Sequence, residues 1–187
     1  MNNIVINPDN RTWLARVDAM EQSELVNEVM RVASIAAPTF NEMRRAEYVR
    51  SQFEACGLKT AIDSVGNVLS VIPGEASEKA LLLTAHMDTV FGSEVDVTPK
   101  LDGDYLHGPG VRDNSAAVAA LIQLARIVGS GNWRPKRDVV LAATVGEEGH
   151  GNLMGIRRIM QERPHAYGAV MVIDGHLGSI THVSVGS

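Results

Sequence analysis

The spacing of apolar residues changes from helical to strand-like after Gly57, and that change organises the first reading of the chain. From Ser23, taken as an N-cap, Val26, Val29, Met30 and Ala33 recur at helical spacing and predict a helix over residues 23–36. A second helix is expected after Asn41 as far as Cys56, stopped by Gly57, with Met43, Ala46, Tyr48 or Val49, and Phe53 facing inward. Beyond it, "KTAIDS" and "NVLSVIP" flank Val65-Gly66 and predict a hairpin. "ALLLTAH", "RDVVLAATV" and "GAVMVIDG" are short apolar runs of the kind found in strands covered on both faces. Between them, "DNSAAVAALIQLARIV" (residues 114–128 at helical spacing) and "NLMGIRRIMQER" read as helices, and the last stretch, "SITHVSVGS", as one more strand. Strands alternating with helices predict an α/β domain with a largely parallel central sheet. In such sheets, ligands bind in the crevice outside the carboxyl ends of the strands.

Composition narrows the function classes. With 187 residues the chain fits one ordinary domain, and a net charge of −5 gives no reason to expect nucleic acid or an anionic membrane as partner. Aromatic residues are only 4% of the chain, which argues against a base-stacking platform. The one cysteine, Cys56, excludes an intrachain disulfide framework and a cysteine zinc site, and is read as core filler. "MNNIVINPDN" has neither a basic leader nor a long apolar segment, and no apolar run approaches the ~20 residues that span a bilayer, so a soluble, cytoplasmic protein is expected.

The chemistry gathers at the strand ends. "LLLTAH" ends in His86 with Asp88 two residues on, "LAATVG" ends in Glu147 and Glu148, "VMVID" ends in Asp174, and Asp113 stands ahead of the helix after the His86 strand. Carboxylates collected in one crevice repel each other and raise each other's pKa, and a bound cation is the usual way to hold them ionised. One imidazole among carboxylates suits zinc, with cobalt or manganese as relatives. The number of carboxylates exceeds what one tetrahedral ion with a water can use, and fits two ions about 3.5–4 Å apart sharing a bridging carboxylate. Of Glu147 and Glu148, one can then be a ligand and the other a base, while the flanking glycines allow the turn and a close approach of substrate. Taken singly, each residue has a plainer reading: a structural histidine, a solvated glutamate pair, an aspartate cap.

Four motifs occur in order: "TAHMDTVF" (84–91), "GPGVRDNSAAVAALI" (108–122), "VGEEGHGNLMG" (145–155) and "VIDG" (172–175). Together they resemble the di-zinc exopeptidases and deacylases that include tripeptidase (peptidase T), acetylornithine deacetylase, succinyl-diaminopimelate desuccinylase and glutamate carboxypeptidase. The resemblance implies a three-layer α/β/α domain that hydrolyses peptide or N-acyl amide bonds with two zinc ions. It implies that His86 and Asp174 bind one zinc, Asp113 bridges both, and Glu148 binds the other. Glu147 becomes the general base for metal-bound water, and Asp88 orients the His86 ring. It also implies a cis peptide after Asp113.

The same resemblance implies an organisation in which residues 1–22 are an N-terminal extension and residues 23–187 the N-terminal part of the catalytic domain. A lid or dimerisation domain and a C-terminal catalytic segment with the last histidine ligand would lie elsewhere. This chain alone is therefore expected to be inactive or weakly active, and the full-length protein to act as a homodimer on a small peptide or N-acyl amino acid. Two positions depart from the family pattern. Arg112 is read as a solvated surface cation, with a receptor for a substrate carboxylate as the alternative, and His150 as a rim residue. His107, His165, His176 and His182 are read as non-ligands. The rival class is a non-catalytic α/β binding or assembly module that retains a metal site. A metallophosphatase is disfavoured by the glutamate pair among glycines.

Overall fold

The change from helical to strand-like spacing at Gly57 is carried through in a computed structural model, which describes Ala15 and residues 22–76, 78–129 and 134–175. Helices α1 (Gln22–Ala33) and α2 (Met43–Ala55) lead. They are followed by the hairpin β1 (Thr60–Ile62) and β2 (Val68–Ile72), β3 (Ala80–His86), and a ribbon of β4 (Lys100–Asp102) and β5 (Tyr105–His107). Then come α3 (Ala116–Gly129), β6 (Val139–Thr144), α4 (Met154–Glu162) and β7 (Tyr167–Val172). The strand expected from "SITHVSVGS", together with His176, His182 and almost all of the N-terminal extension, lies outside the described residues.

The main sheet has the order β1-β2-β6-β3-β7. β3 is parallel to both β6 and β7, while β2 is antiparallel to β1 and β6. The parallel part is the half that matters for chemistry. Its register sets His86 beside Thr144 and Thr84 beside Val172, so three chain segments leave the sheet along one edge. Because strand side chains alternate, the sheet feeds a core on each face. Val68, Leu83, Ala85 and Leu141 pack with Val49 and Phe53 of α2 and with α1 and α3. On the opposite face Leu82, Val140 and Ala142 meet Ile159 of α4. The result is a helix–sheet–helix sandwich of three layers. None of the described helices is long and apolar enough to cross a membrane.

Several expectations need correction. α1 stops at Ala33, not residue 36, where Ser34 turns its hydroxyl back to the Met30 carbonyl at 2.7 Å. α3 starts at Ala116, after Asp113 and Asn114, whose backbone angles are non-helical. Met43 is 53% exposed, since the inward stripe of α2 runs through Arg45, Ala46, Val49 and Phe53. Leaving it off the stripe costs little. β7 was expected to be buried on both faces, yet Val170, Met171 and Val172 are 42%, 50% and 61% exposed. Among the described residues it is the sheet edge, pairing with β3 alone, and only Tyr167 at its start joins the apolar cluster of α4.

The helical layer contains a charge that periodicity did not foresee. Glu28 on α1 is fully buried and accepts hydrogen bonds from Tyr48 Oη of α2 and Arg126 Nη2 of α3, both at 2.6 Å. Burial, and then the neighbouring Glu28 carboxylate, push the Tyr48 phenol up to about 12. One carboxylate therefore joins three helices. Replacing it takes the acceptor from a half-buried phenol and one of two acceptors from a part-exposed guanidinium, so Glu28→Ala is expected to cost about 2–3 kcal/mol. Chemical denaturation should show the loss, and Glu28→Gln, which still accepts from Tyr48, should show less of it.

Candidate metal centre

His86 closes β3 and is 3% exposed. Its Nδ1 lies 3.0 Å from the Asp88 carbonyl oxygen, which assigns the ring hydrogen of the neutral form to Nδ1. Nε2 is then an acceptor, and it faces other acceptors: Asp113 Oδ1 at 3.0 Å and Asp174 Oδ1 at 3.6 Å. Although buried, Nε2 has no partner in hydrogen-bond geometry. A lone pair aimed at two carboxylates is repulsive unless a positive charge lies between them. Without a metal that charge is a proton: burial alone would lower the His86 pKa, but Asp174 and Asp88 outweigh it and hold the ring up at about 10.

A divalent cation fits the same place. Ligand atoms of His86, Asp113 and Asp174 converge in one group, and those of His86, Glu147 and Glu148 in a second. All four predicted ligands thus reach one crevice, with Glu147 among them. Glu148 groups with His86 and Glu147, not with the Asp113 that the resemblance made a bridge. Both glutamates sit above the ordinary carboxylate range, first because of burial. For Glu148 the charges of Asp113 and Glu147 add to that, and for Glu147 the His86 ring partly opposes it. The peptide between Asp113 and Asn114 is cis, as the resemblance implies.

Asp88 does more than face the ring. It is fully buried, and its carboxylate accepts from the backbone N–H of Glu147 and of Glu148, both at 2.9 Å, and from Thr39 Oγ1 at 3.0 Å. Its nearest approach to His86 through the side chain is 3.5 Å, so the ring is oriented mainly by its carbonyl. Burial opposes its charge, but His86 and the two N–H donors outweigh that and keep its pKa below the usual value.

The glutamate turn explains its glycines differently from the sequence reading. Gly146 has φ +60° and Gly149 φ +49°, a region that favours glycine. Gly151 and Gly155 are needed for close packing of the chain on itself. A Cβ on Gly151 would lie 2.5 Å from the Gly146 carbonyl oxygen, and one on Gly155 2.3 Å from Asn67 Oδ1. Those two positions serve the backbone of the turn; the expected approach of substrate does not account for them.

Sequence reasoning missed two residues that hold this turn, Asn67 and Glu42, and a third, Arg45, that fastens the segments beside it. Asn67, fully buried, accepts from Val145 N at 3.1 Å and donates to Gly155 O at 3.0 Å, closing both ends of the turn. Glu42 reaches from the start of α2 to Gly146 N at 3.0 Å. Arg45, 1% exposed, donates to Ile35 O and, at 2.6 Å, to Met87 O, and burial lowers its pKa to about 10. A charged residue on an otherwise apolar helical stripe was the available signal. Arg112 is exposed and donates through Nε to Gly175 O at 2.7 Å, while His107, His150 and His165 are exposed and outside both ligand groups.

With this geometry in hand, the comparisons are informative. The profile of peptidase family M28 matches residues 67–181, more than half of the chain and all six site residues. The chain belongs to peptidase family M28. It is similar to a protein of Pyrococcus abyssi assigned as a LysW-lysine/LysW-ornithine hydrolase, 30% identical over 165 residues, or 88% of this chain and 43% of that one. Among solved structures it is similar to the aminopeptidase PepT of Bacillus cereus, with a TM-score of 0.70 at 23% identity, covering 83% of this chain and 44% of PepT. A tripeptidase of Staphylococcus aureus matches over 83% and 44% of the two chains, with a TM-score of 0.69 at 24% identity. The chain thus spans less than half the length of these relatives.

The glycine geometry yields a graded expectation. Gly149→Ala meets nothing within 4 Å and should cost only the ~1 kcal/mol of a left-handed alanine. Gly151→Ala must displace backbone and should cost about 3 kcal/mol, at the upper end for overpacking. Thermal unfolding of the two variants should separate them in that order.

Proposed function

We propose that this chain carries the metal site of a zinc-dependent hydrolase of peptide or N-acyl amide bonds. The observation that carries the reading is the buried Nε2 of His86, unpartnered and facing Asp113 and Asp174, with Glu147 and Glu148 within reach of the same ring. His86, Asp113 and Asp174 would hold one ion, and Glu148 would contribute to a second. A bound ion would polarise the scissile carbonyl and lower the pKa of the attacking water.

The remaining chemistry belongs to the chain. Glu147 is the general base in this reading, supported by a pKa that burial raises: it takes the proton from the attacking water and passes it to the leaving nitrogen. Asp88 fixes the direction of the His86 ring through its carbonyl, and its carboxylate holds the Glu147–Glu148 backbone in place. Among the described residues the Glu148 group has no imidazole of its own, so a second ion would be held weakly and turnover by this chain alone should be low. The family, the tripeptidase and aminopeptidase neighbours and the LysW-lysine hydrolase relative support an amide as the bond attacked.

Two experiments test the reading. Glu147→Gln should retain metal at the wild-type stoichiometry while hydrolysis of aminoacyl and N-acyl amide substrates falls about 10²–10⁴-fold. Loss of metal with unchanged residual hydrolysis would sink the assignment. The second concerns protons. The metal-free His86 pKa, about 10, lies above the ordinary 6.5, so its imidazolium contributes stability that is full below pH 6.5 and is lost as pH rises through 10. Metal must displace that proton, so zinc binding at pH 7 should release close to one proton. Apparent affinity should rise by about tenfold per pH unit up to the His86 pKa. Calorimetry in buffers of different ionisation enthalpy measures the count directly, and zero would contradict it.

A further inference from the structure

Asp113 and Asp174 come from distant parts of the chain, and neither is held by burial: their side chains are 59% and 45% exposed. Among the described residues, Asp174 also follows an exposed edge strand. Yet both carboxylates lie within 4 Å of His86 Nε2. The hydrogen bonds on either side of them account for this. Arg112, the residue before Asp113, donates through Nε to the carbonyl of Gly175, the residue after Asp174, at 2.7 Å. Asn114, the residue after Asp113, donates through Nδ2 to the carbonyl of Ile173, the residue before Asp174, at 2.9 Å. Ile173 N in turn donates to Thr84 O at 2.8 Å, which fastens the bracket to β3 two residues before His86.

We infer that Arg112 and Asn114 are positioning residues for the metal site, a side-chain bracket that sets the separation of Asp113 and Asp174 and so the metal affinity of the His86 group. The inference rests on the proposed metal site. Asn114 is 1% exposed, so its substitution would disturb packing as well. Arg112 is exposed, and its Nε hydrogen bond is its recorded polar contact. It provides the clean test.

The sign of the effect separates the bracket from electrostatics. A guanidinium beside a divalent cation repels it, so removing that charge would, on Coulomb grounds alone, tighten metal binding. If Arg112 acts as a tether, removing it loosens binding. The experiment is competition for zinc and cobalt between the 187-residue chain and a chromophoric chelator, on wild type, Arg112→Met, Arg112→Lys and His86→Ala, with thermal unfolding of each metal-free protein. The bracket predicts that Arg112→Met binds about 10–100-fold more weakly, the range for residues that orient ligands, at an unchanged metal-free midpoint. Arg112→Lys, which keeps a donor, should recover part of the loss.

Arg112→Met binding as tightly as wild type, or more tightly, while His86→Ala binds nothing would overturn the bracket and leave the metal site standing. His86→Ala binding like wild type would overturn the metal site itself, and the bracket with it. If Arg112→Met leaves affinity unchanged but raises KM for carboxylate-bearing substrates in an active form of the enzyme, Arg112 is instead an anion receptor and the bracket is wrong.

Discussion

The carboxylate of Asp88 is the point on which the site depends. It is fully buried, and a buried charge is tolerated only with enough hydrogen bonds to replace its water. Its partners come from two distant parts of the fold: Thr39 between α1 and α2, and the N–H groups of Glu147 and Glu148 after β6. Its own backbone carbonyl orients His86. The buried Arg45 guanidinium supplies a nearby opposite charge while fastening Ile35 and Met87. A neutral residue at position 88 would release the glutamate turn and the loop ahead of α2 together, while its backbone carbonyl would still orient the histidine.

Around that charge the backbone is unusually well determined. The turn after β6 doubles back so tightly that Gly146, Gly151 and Gly155 lie against neighbouring backbone or side-chain atoms, and Asn67 bridges its two ends. Glu147 and Glu148 therefore leave the sheet with fixed directions. Preorganisation of this kind is what a general base needs, because geometry set during folding is not paid for again at each turnover.

Much of this was legible in the chain, and the failures have physical causes. The strand-end residues His86, Asp113, Glu147, Glu148 and Asp174 could be placed in one crevice because parallel strands carry their carboxyl ends to one edge. The helices and the hairpin followed from periodicity. Glu28, Glu42 and Asn67 were not legible, since their partners include residues far along the chain, and Arg45 showed only as a charge on an apolar stripe. Glu42, for example, bonds Gly146 more than a hundred residues away. No local pattern encodes such a pair. β7 misled for the opposite reason: its composition suits a covered strand, but among the described residues nothing covers it. The glycines were recognised, yet half of their purpose was internal.

The uneven burial of the proposed ligands has its own logic. His86 is sheltered, whereas Asp113 and Asp174 are about half exposed. Burying several carboxylates together would raise their pKa values until they took up protons, and each ligand would then have to lose its proton before metal could bind. Leaving two of them in water avoids that burial cost. The cost is mobility at a site that needs defined geometry, and hydrogen bonds to the flanking backbone reduce that mobility without removing water from the charges. The buried imidazole is neutral in its ligating form, so its shelter carries no charge penalty in that form. Rigid nitrogen and hydrated, tethered oxygens together satisfy two demands that a uniformly buried or uniformly exposed site would set against each other.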